Sequence, residues 1–220
     1  MATGHNRRVP DERVGSRNNA SVPFFFFFLC LVLCAIPARP QAIEFESNGL
    51  KYQTLSKSGV TLMFAPLADR LRTYAIIQVA AANGSQSPYV VRPEDFTFVR
   101  ADGTQVRAAT ANAVVQMLVQ KGGSSDVLKL VNAYEVSLYG ILNMRSTNGF
   151  EQRRQAALMF GPSKFRAAAA ASAVALVQTK LAAGDSSDGA VFFPTGGKPL
   201  GPGHLLVRTS TDTFEFNAQP

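Results

Sequence analysis

The chain has 220 residues, 46% of them hydrophobic, enough for one sizeable domain or two small ones with a real core. Its formal charge is +7, from 22 Lys and Arg against 15 Asp and Glu, yet no basic cluster interleaved with aromatics accompanies that excess, which argues against a nucleic-acid footprint. Both cysteines, Cys30 and Cys34, lie in one N-terminal apolar run, so a chain that has lost the run has no disulfide, no cysteine zinc site and no thiol nucleophile.

That run, Val22 to Ile36, follows Arg7, Arg8, Arg13 and Arg17. A basic region followed by about 15 apolar residues is the pattern of a secretory signal, and it is short for a spanning helix, which needs ~20. Ala35, Ala38 and Ala42 supply small residues for cleavage after Ala38 or after Ala42, the second being disfavoured by Pro40 at −3. Two other fates fit: an uncleaved anchor through residues 22–36, or acylation of Cys34, against which Leu33 stands where a lipobox wants a small residue. A true start downstream of Met1 is also open. Losing the first 38 residues lowers the formal charge from +7 to +5. The expected location is exported, in the periplasm or cell envelope.

Beyond residue 42 the chain reads as strands, then helices, then strands. Leu50 to Leu55 alternates loosely, and Val60, Leu62 and Phe64 share one face of an opening strand that Pro66 is expected to end. Tyr74 to Ala81 is apolar on both faces, with Ala75, Ile77, Val79 and Ala81 on one and Tyr74, Ile76 and Gln78 on the other. Such a strand needs two covers, a partner sheet and the helices. Asn83-Gly84-Ser85 breaks it, Tyr89 to Val91 is extended, Pro93-Glu94-Asp95 makes a corner, Phe96 to Val99 resumes, and Asp102-Gly103 turns.

From Ala108 the period changes. Thr110 or Asn112 caps a helix that ends at Gly122-Gly123. Val127, Leu130, Val131, Tyr134, Leu138, Ile141 and Leu142 fall at the spacing of one helical face. A shorter helix is predicted over Phe150 to Phe160, and an alanine-rich one over Ser163 to Ala183, stopped by Gly184. Asp185 to Gly189 reads as a polar loop. Ala190 to Pro194, Leu205 to Thr209 and Thr213 to Asn217 read as three short strands.

Three short strands seldom stand alone. Pooled with the earlier ones they suffice for a sandwich, so the predicted organisation is a signal or anchor over 1–42, the first part of a β-sandwich over 43–107, a helical insertion over 108–184 and the last strands over 185–220. Three pieces carry a resemblance: the strand ending in Asn83-Gly84-Ser85 with Pro88-Tyr89-Val90-Val91 after it, Pro93 to Val99 with Asp102-Gly103, and Gly189 to Pro194 with Leu206-Val207-Arg208 and Phe214-Glu215-Phe216. Over about 75 residues the chain resembles bacterial exported immunoglobulin-like domains of unknown function. The resemblance implies an α+β fold, an immunoglobulin-like antiparallel β-sandwich here interrupted by a helical insertion, and export; it implies no reaction.

Catalytic signals are weak. His204 is the one histidine outside the N-terminal segment, and no Gly-x-Ser-x-Gly elbow accompanies it. Gly196-Gly197-Lys198 is followed by Pro199 and a strand, where a phosphate loop needs a helix. Asp185 to Gly189 groups oxygen ligands without calcium-loop spacing. Asn83-Gly84-Ser85 matches a glycosylation acceptor, although Asn-Gly in a turn more often supplies a positive φ. Arg153, Arg154, Lys164 and Arg166 form a small basic group, a candidate interaction surface or a solvated helix face. The expectation is an exported, non-enzymatic envelope-associated binding or interaction module. It has no catalytic, cofactor-binding or metal residue and no cofactor. Its partner is another envelope protein, not nucleic acid, and it meets the membrane only through the N-terminal segment if that is uncleaved or acylated. The alternatives are a carrier holding an apolar small molecule between helices and sheet, and, last, an exported hydrolase using His204 or a carboxylate pair.

Overall fold

The computed structural model describes residues 42–47, 49–126, 128–130 and 162–218. In chain order these residues contain β1 (Ile43–Ser47), β2 (Leu50–Lys57), β3 (Val60–Leu71), β4 (Tyr74–Asn83), β5 (Tyr89–Val91), a 3-10 turn (Pro93–Asp95), β6 (Phe96–Arg100), β7 (Gln105–Arg107), α1 (Ala111–Lys121), further helical residues at 124–126 and 128–130, α2 (Ser163–Val174), β8 (Thr179–Leu181), β9 (Ser186–Pro194), β10 (Gly203–Arg208) and β11 (Thr213–Ala218). They form a five-stranded sheet in the order β1-β2-β3-β4-β9, a four-stranded sheet β11-β10-β6-β7, and the pair β5-β8. Every named pairing is antiparallel. The result is an α+β, sandwich-like fold.

The strands after the helices pair with strands before them. β9 lies along β4 in a long register, Ile77 opposite Val191 and Ala75 opposite Phe193, and β10 lies along β6, Leu205 opposite Phe98. The period-2 pattern of β4 explains its central place. Ile77, Val79 and Ala81 join Phe64, Val191, Phe193, Phe98, Leu205, Val207, Phe214 and Phe216 in the core between the two larger sheets. Edge-to-face rings lock the layers, Phe64 on Phe216 at 5.1 Å and Phe98 on Phe193 at 6.4 Å between centroids. On the opposite face Ile76 and Phe192 pack beneath α1 and α2 with Val114, Leu118, Leu130 and a row of α2 alanines. Alanine permits that approach: a side chain on Gly122, just past α1, would already stand 3.1 Å from the Ala167 methyl.

Local chemistry accounts for the helix ends. The Thr110 hydroxyl accepts from the Ala113 N–H at 3.2 Å, the N-cap of α1. Beyond α1, Asp126 accepts the Gly123 N–H at 2.8 Å and pairs with Arg72 at 2.8 Å, tying the segment to the β3–β4 turn.

Several expectations change. Pro66 does not end β3; it sits opposite Ile77, and the register shifts between Pro66 and Arg70, a bulge that removes the need for a ladder donor. The helix predicted over 163–183 stops at Val174, because Leu176 pairs its N–H with the Ala190 carbonyl at 2.8 Å and Thr179 to Leu181 become β8 against β5. Gly184, at φ +83, closes a turn that donates to the Asn83 carbonyl rather than a helix. Residues 186–189, read as loop, belong to β9 with Ser187 and Asp188 buried. Most of the helix predicted around Leu138, and the one over 150–160, lie outside the described residues, as do residues 1–41. No helix among the described residues is long and apolar enough to cross a membrane.

Candidate functional site

The five-stranded sheet has two edges, and they differ. At β9 the chain returns twice. The Ala109 N–H donates to the Phe192 carbonyl and the Leu176 N–H to the Ala190 carbonyl, each at 2.8 Å, and Ala109 and Ala175 form isolated bridges to Phe192 and Ala190 of β9. At β1 no strand among the described residues lies further out.

β1 is short and reads Ile-Glu-Phe-Glu-Ser. Successive side chains of a strand point to opposite faces. Ile43 and Phe45 therefore share one face, and they are 66% and 41% exposed. Phe45 stacks on Tyr52 of β2, directly opposite it, with centroids 5.2 Å apart and planes 11° from parallel. Glu44 and Glu46 take the other face, opposite Gln53 and Lys51.

On that second face the sandwich opens. β2 meets β11, the edge strand of the other large sheet, through Gln53, whose amide donates to the Asn217 carbonyl, and through Lys57, which donates to the Thr213 carbonyl at 3.2 Å. β1 lies one strand further out than β2. A groove of about 610 Å³ runs along this edge, lined on that face by Glu44, Glu46, Lys51, Gln53, Phe64 and Pro66, and touched from the other face by Phe45, Tyr52 and Leu67. The Gln53 amide also donates to Glu44 Oε1 at 2.6 Å and so sets that carboxylate on the rim. Gln53 is only 8% exposed, and its carbonyl oxygen has no hydrogen-bond partner among the described residues. Neither Glu44 nor Glu46 is ion-paired among those residues. Below Phe45, the buried Tyr52 hydroxyl donates to Gln78 Oε1 at 3.0 Å, and burial pushes its pKa up to about 12.

The residues singled out in the sequence do not converge on this edge. His204 lies on β10 with its Nε2 3.7 Å from Glu215 Oε1, a half-exposed cross-strand pair, and no serine stands at hydrogen-bond distance from it among the described residues. Gly196 and Gly197, both at positive φ, form a turn whose Gly197 carbonyl accepts from Arg70 at 2.7 Å. Asn83 is 1% exposed, and its amide donates to the carbonyls of Ser87, Leu181 and Ala182, which leaves no free nitrogen for a glycan. Gly84 does not have a positive φ, so Asn83 here acts through its side chain and not through a tight turn. Lys164 and Arg166 are exposed at the start of α2, with the Lys164 ammonium 5.1 Å from the Phe165 ring centroid. Arg153 and Arg154 lie outside the described residues. No group of three or more His, Cys, Asp or Glu among the described residues is placed to hold a metal ion.

Ile43, Glu44, Phe45 and Glu46 were not marked by the sequence reading. Their strict apolar–acidic alternation is the signal that finds them. It lies directly after the expected cleavage region.

No protein-family model matches the chain, and no curated protein does. Among solved structures it is similar to the crystal structure of the yjhA protein from Bacillus subtilis, at a TM-score of 0.33 and 8% identity over 80% of this chain and 96% of that one. A likeness of that size leaves function to the chain's own geometry.

Proposed function

We propose that this chain is an exported, non-enzymatic interaction module of the cell envelope, an immunoglobulin-like sandwich with a helical insertion, that holds another envelope protein by strand addition at β1. The observation that carries the reading is the bare β1 edge, with Ile43 and Phe45 exposed and a groove beside them. An edge strand offers unpaired N–H and C=O groups to any extended segment, and side-chain pockets beside it select which. Natural sheets blunt such edges with short strands, charged side chains, proline or a covering element. β9 has the covering; β1 has only its shortness and two glutamates, which oppose some partners and admit others.

Export rests on the basic and apolar N-terminal pattern. Ala42 packs against the core between the sheets, which favours cleavage after Ala38 over cleavage after Ala42. A second reading, a carrier for an apolar small molecule, draws on the groove volume, which falls in the range of ligand sites. The free strand edge beside it, with Glu44, Glu46 and Lys51 on the rim, supports an extended peptide as the first reading.

The test is a photo-crosslinking residue at position 45 of β1, compared with one at position 105 of the opposite sheet's edge, in the full chain expressed in cells. A discrete adduct of one mass at 45 and none at 105 is expected. No adduct at 45, or equal adducts at both, contradicts the reading.

A further inference from the structure

The charge pattern of β1 narrows what can dock there, an inference that rests on the edge-binding reading above. β1 presents two glutamates on the groove face and two large apolar side chains on the other. Lys51 stands opposite Glu46 on β2, and no ion pair forms between them. The outer side of β1 therefore keeps two carboxylates that a neighbouring strand would meet directly.

A second copy of this chain is a poor neighbour. In an antiparallel β1–β1 contact that keeps both groove faces on one side, each register pairing three or more residues sets glutamate against glutamate. With Phe45 central, Glu44 faces Glu46; in the neighbouring registers Glu44 faces Glu44 or Glu46 faces Glu46. Like charges directly opposite across a strand pair are destabilising, and opposite charges there are favourable.

We propose that β1 selects an extended segment of a partner protein in which lysine or arginine alternates with apolar residues. The cationic side chains would lie over Glu44 and Glu46 on the groove face. The apolar ones would cover Ile43 and Phe45 on the other face and remove them from water. Backbone pairing supplies the docking, and the alternation supplies the choice of sequence. A partner segment with acidic alternation is rejected by the same two carboxylates that accept the basic one.

The experiment measures binding of labelled ten-residue peptides to the full chain by fluorescence anisotropy, with hydrogen exchange reporting which amides become protected. One peptide alternates lysine with valine, one alternates glutamate with valine, and one has the lysines in one half and the valines in the other. The alternating basic peptide is expected to bind on the order of tenfold tighter than the acidic one and to protect β1 amides, with the preference falling as salt rises. Glu44→Lys with Glu46→Lys is expected to reverse the preference. Glu46→Lys alone, which leaves the Gln53 contact to Glu44 in place, is expected to weaken it. Circular dichroism confirms that each variant is folded.

Equal protection of β1 by the acidic or the block peptide overturns the charge selection and leaves the edge reading standing. No protection of β1 by any peptide overturns both. A stable dimer of the wild-type chain whose β1 amides are protected makes a second copy the occupant and overturns the inference.

Discussion

The two edges of the five-stranded sheet belong to one structure but are finished differently. β9 is roofed: Ala109 and Leu176 pair with its outer backbone, and the α2 segment leads straight into that contact. Its Gly189 has no room for a side chain, since a Cβ there would come within 2.6 Å of Leu176 Cα. Among the described residues no strand lies beyond β1, which joins β2 through a turn at Gly49 where an added Cβ meets nothing within 4 Å. An edge that is roofed by its own chain serves the fold. An edge left without such a roof, whose charges oppose pairing with its own kind, is open only to a segment that answers those charges.

Substitutions that separate the two edges sharpen this contrast, and the largest effects belong to β9. Phe192→Ala, at a side chain 1% exposed beneath the helices, is expected to cost ~3–5 kcal/mol in urea denaturation. Gly189→Ala drives a methyl into the Leu176 backbone and is expected to cost ~1–3 kcal/mol, against ~1 kcal/mol for Gly49→Ala, where only the φ of +73 is strained. A Gly189→Ala chain as stable as wild type would show that the β9 roof is not close-packed.

Asn83 ties the segment before β9 to β4 by two amide-to-carbonyl bonds, to Leu181 and Ala182, and bonds Ser87 of its own loop by a third, so Asn83→Ala leaves buried acceptors unpaired and is expected to cost ~1–3 kcal/mol. The same variant is expected to run with unchanged mass on glycan analysis.

Beside β1, Tyr52 supplies a pH signature. Its folded pKa of about 12 lies above the ~10 of an unfolded tyrosine, so the unfolded chain gives up the proton first. Stability from this group is complete below pH ~10 and is lost as pH rises towards about 12, by up to ~2–3 kcal/mol. Tyr52→Phe is expected to flatten that alkaline limb in thermal melts. A limb of unchanged slope would assign it elsewhere.

The smallest stability effect is expected at Phe45→Ala. The side chain is partly exposed and its main contact is the stack on Tyr52, so ~1 kcal/mol or less is expected, while peptide binding at β1 is lost. Large destabilisation with binding retained would place Phe45 in the core and not at a docking edge.

Much of the layering was legible. The two-sided apolar pattern of Tyr74 to Ala81 announced a strand with two covers, and it has them. The pooling of strands across the helices follows because neither block can bury its own faces, and the β4–β9 and β6–β10 pairings carry it. What escaped has physical causes. Alanine-rich sequence has no period of its own, so nothing local told Val174 to stop; the pairing of Leu176 with β9 did. Pro66 announced a break that a bulge absorbed. Asn83 read as a turn residue because a side chain's burial depends on segments nearly a hundred residues away, at Leu181 and Ala182. The alternation of Ile43 to Ser47, on which the proposed docking edge rests, is visible in the sequence, but which strand ends a sheet is a property of the whole topology.

The most direct test is native-state hydrogen exchange on the free chain, residue by residue, at the two edges. The account predicts that amides of β1 not bonded to β2 exchange almost as fast as an unfolded chain, while those of β9 exchange only with global unfolding. Equal and strong protection at both edges would mean that β1 is already covered and has no vacancy for a partner.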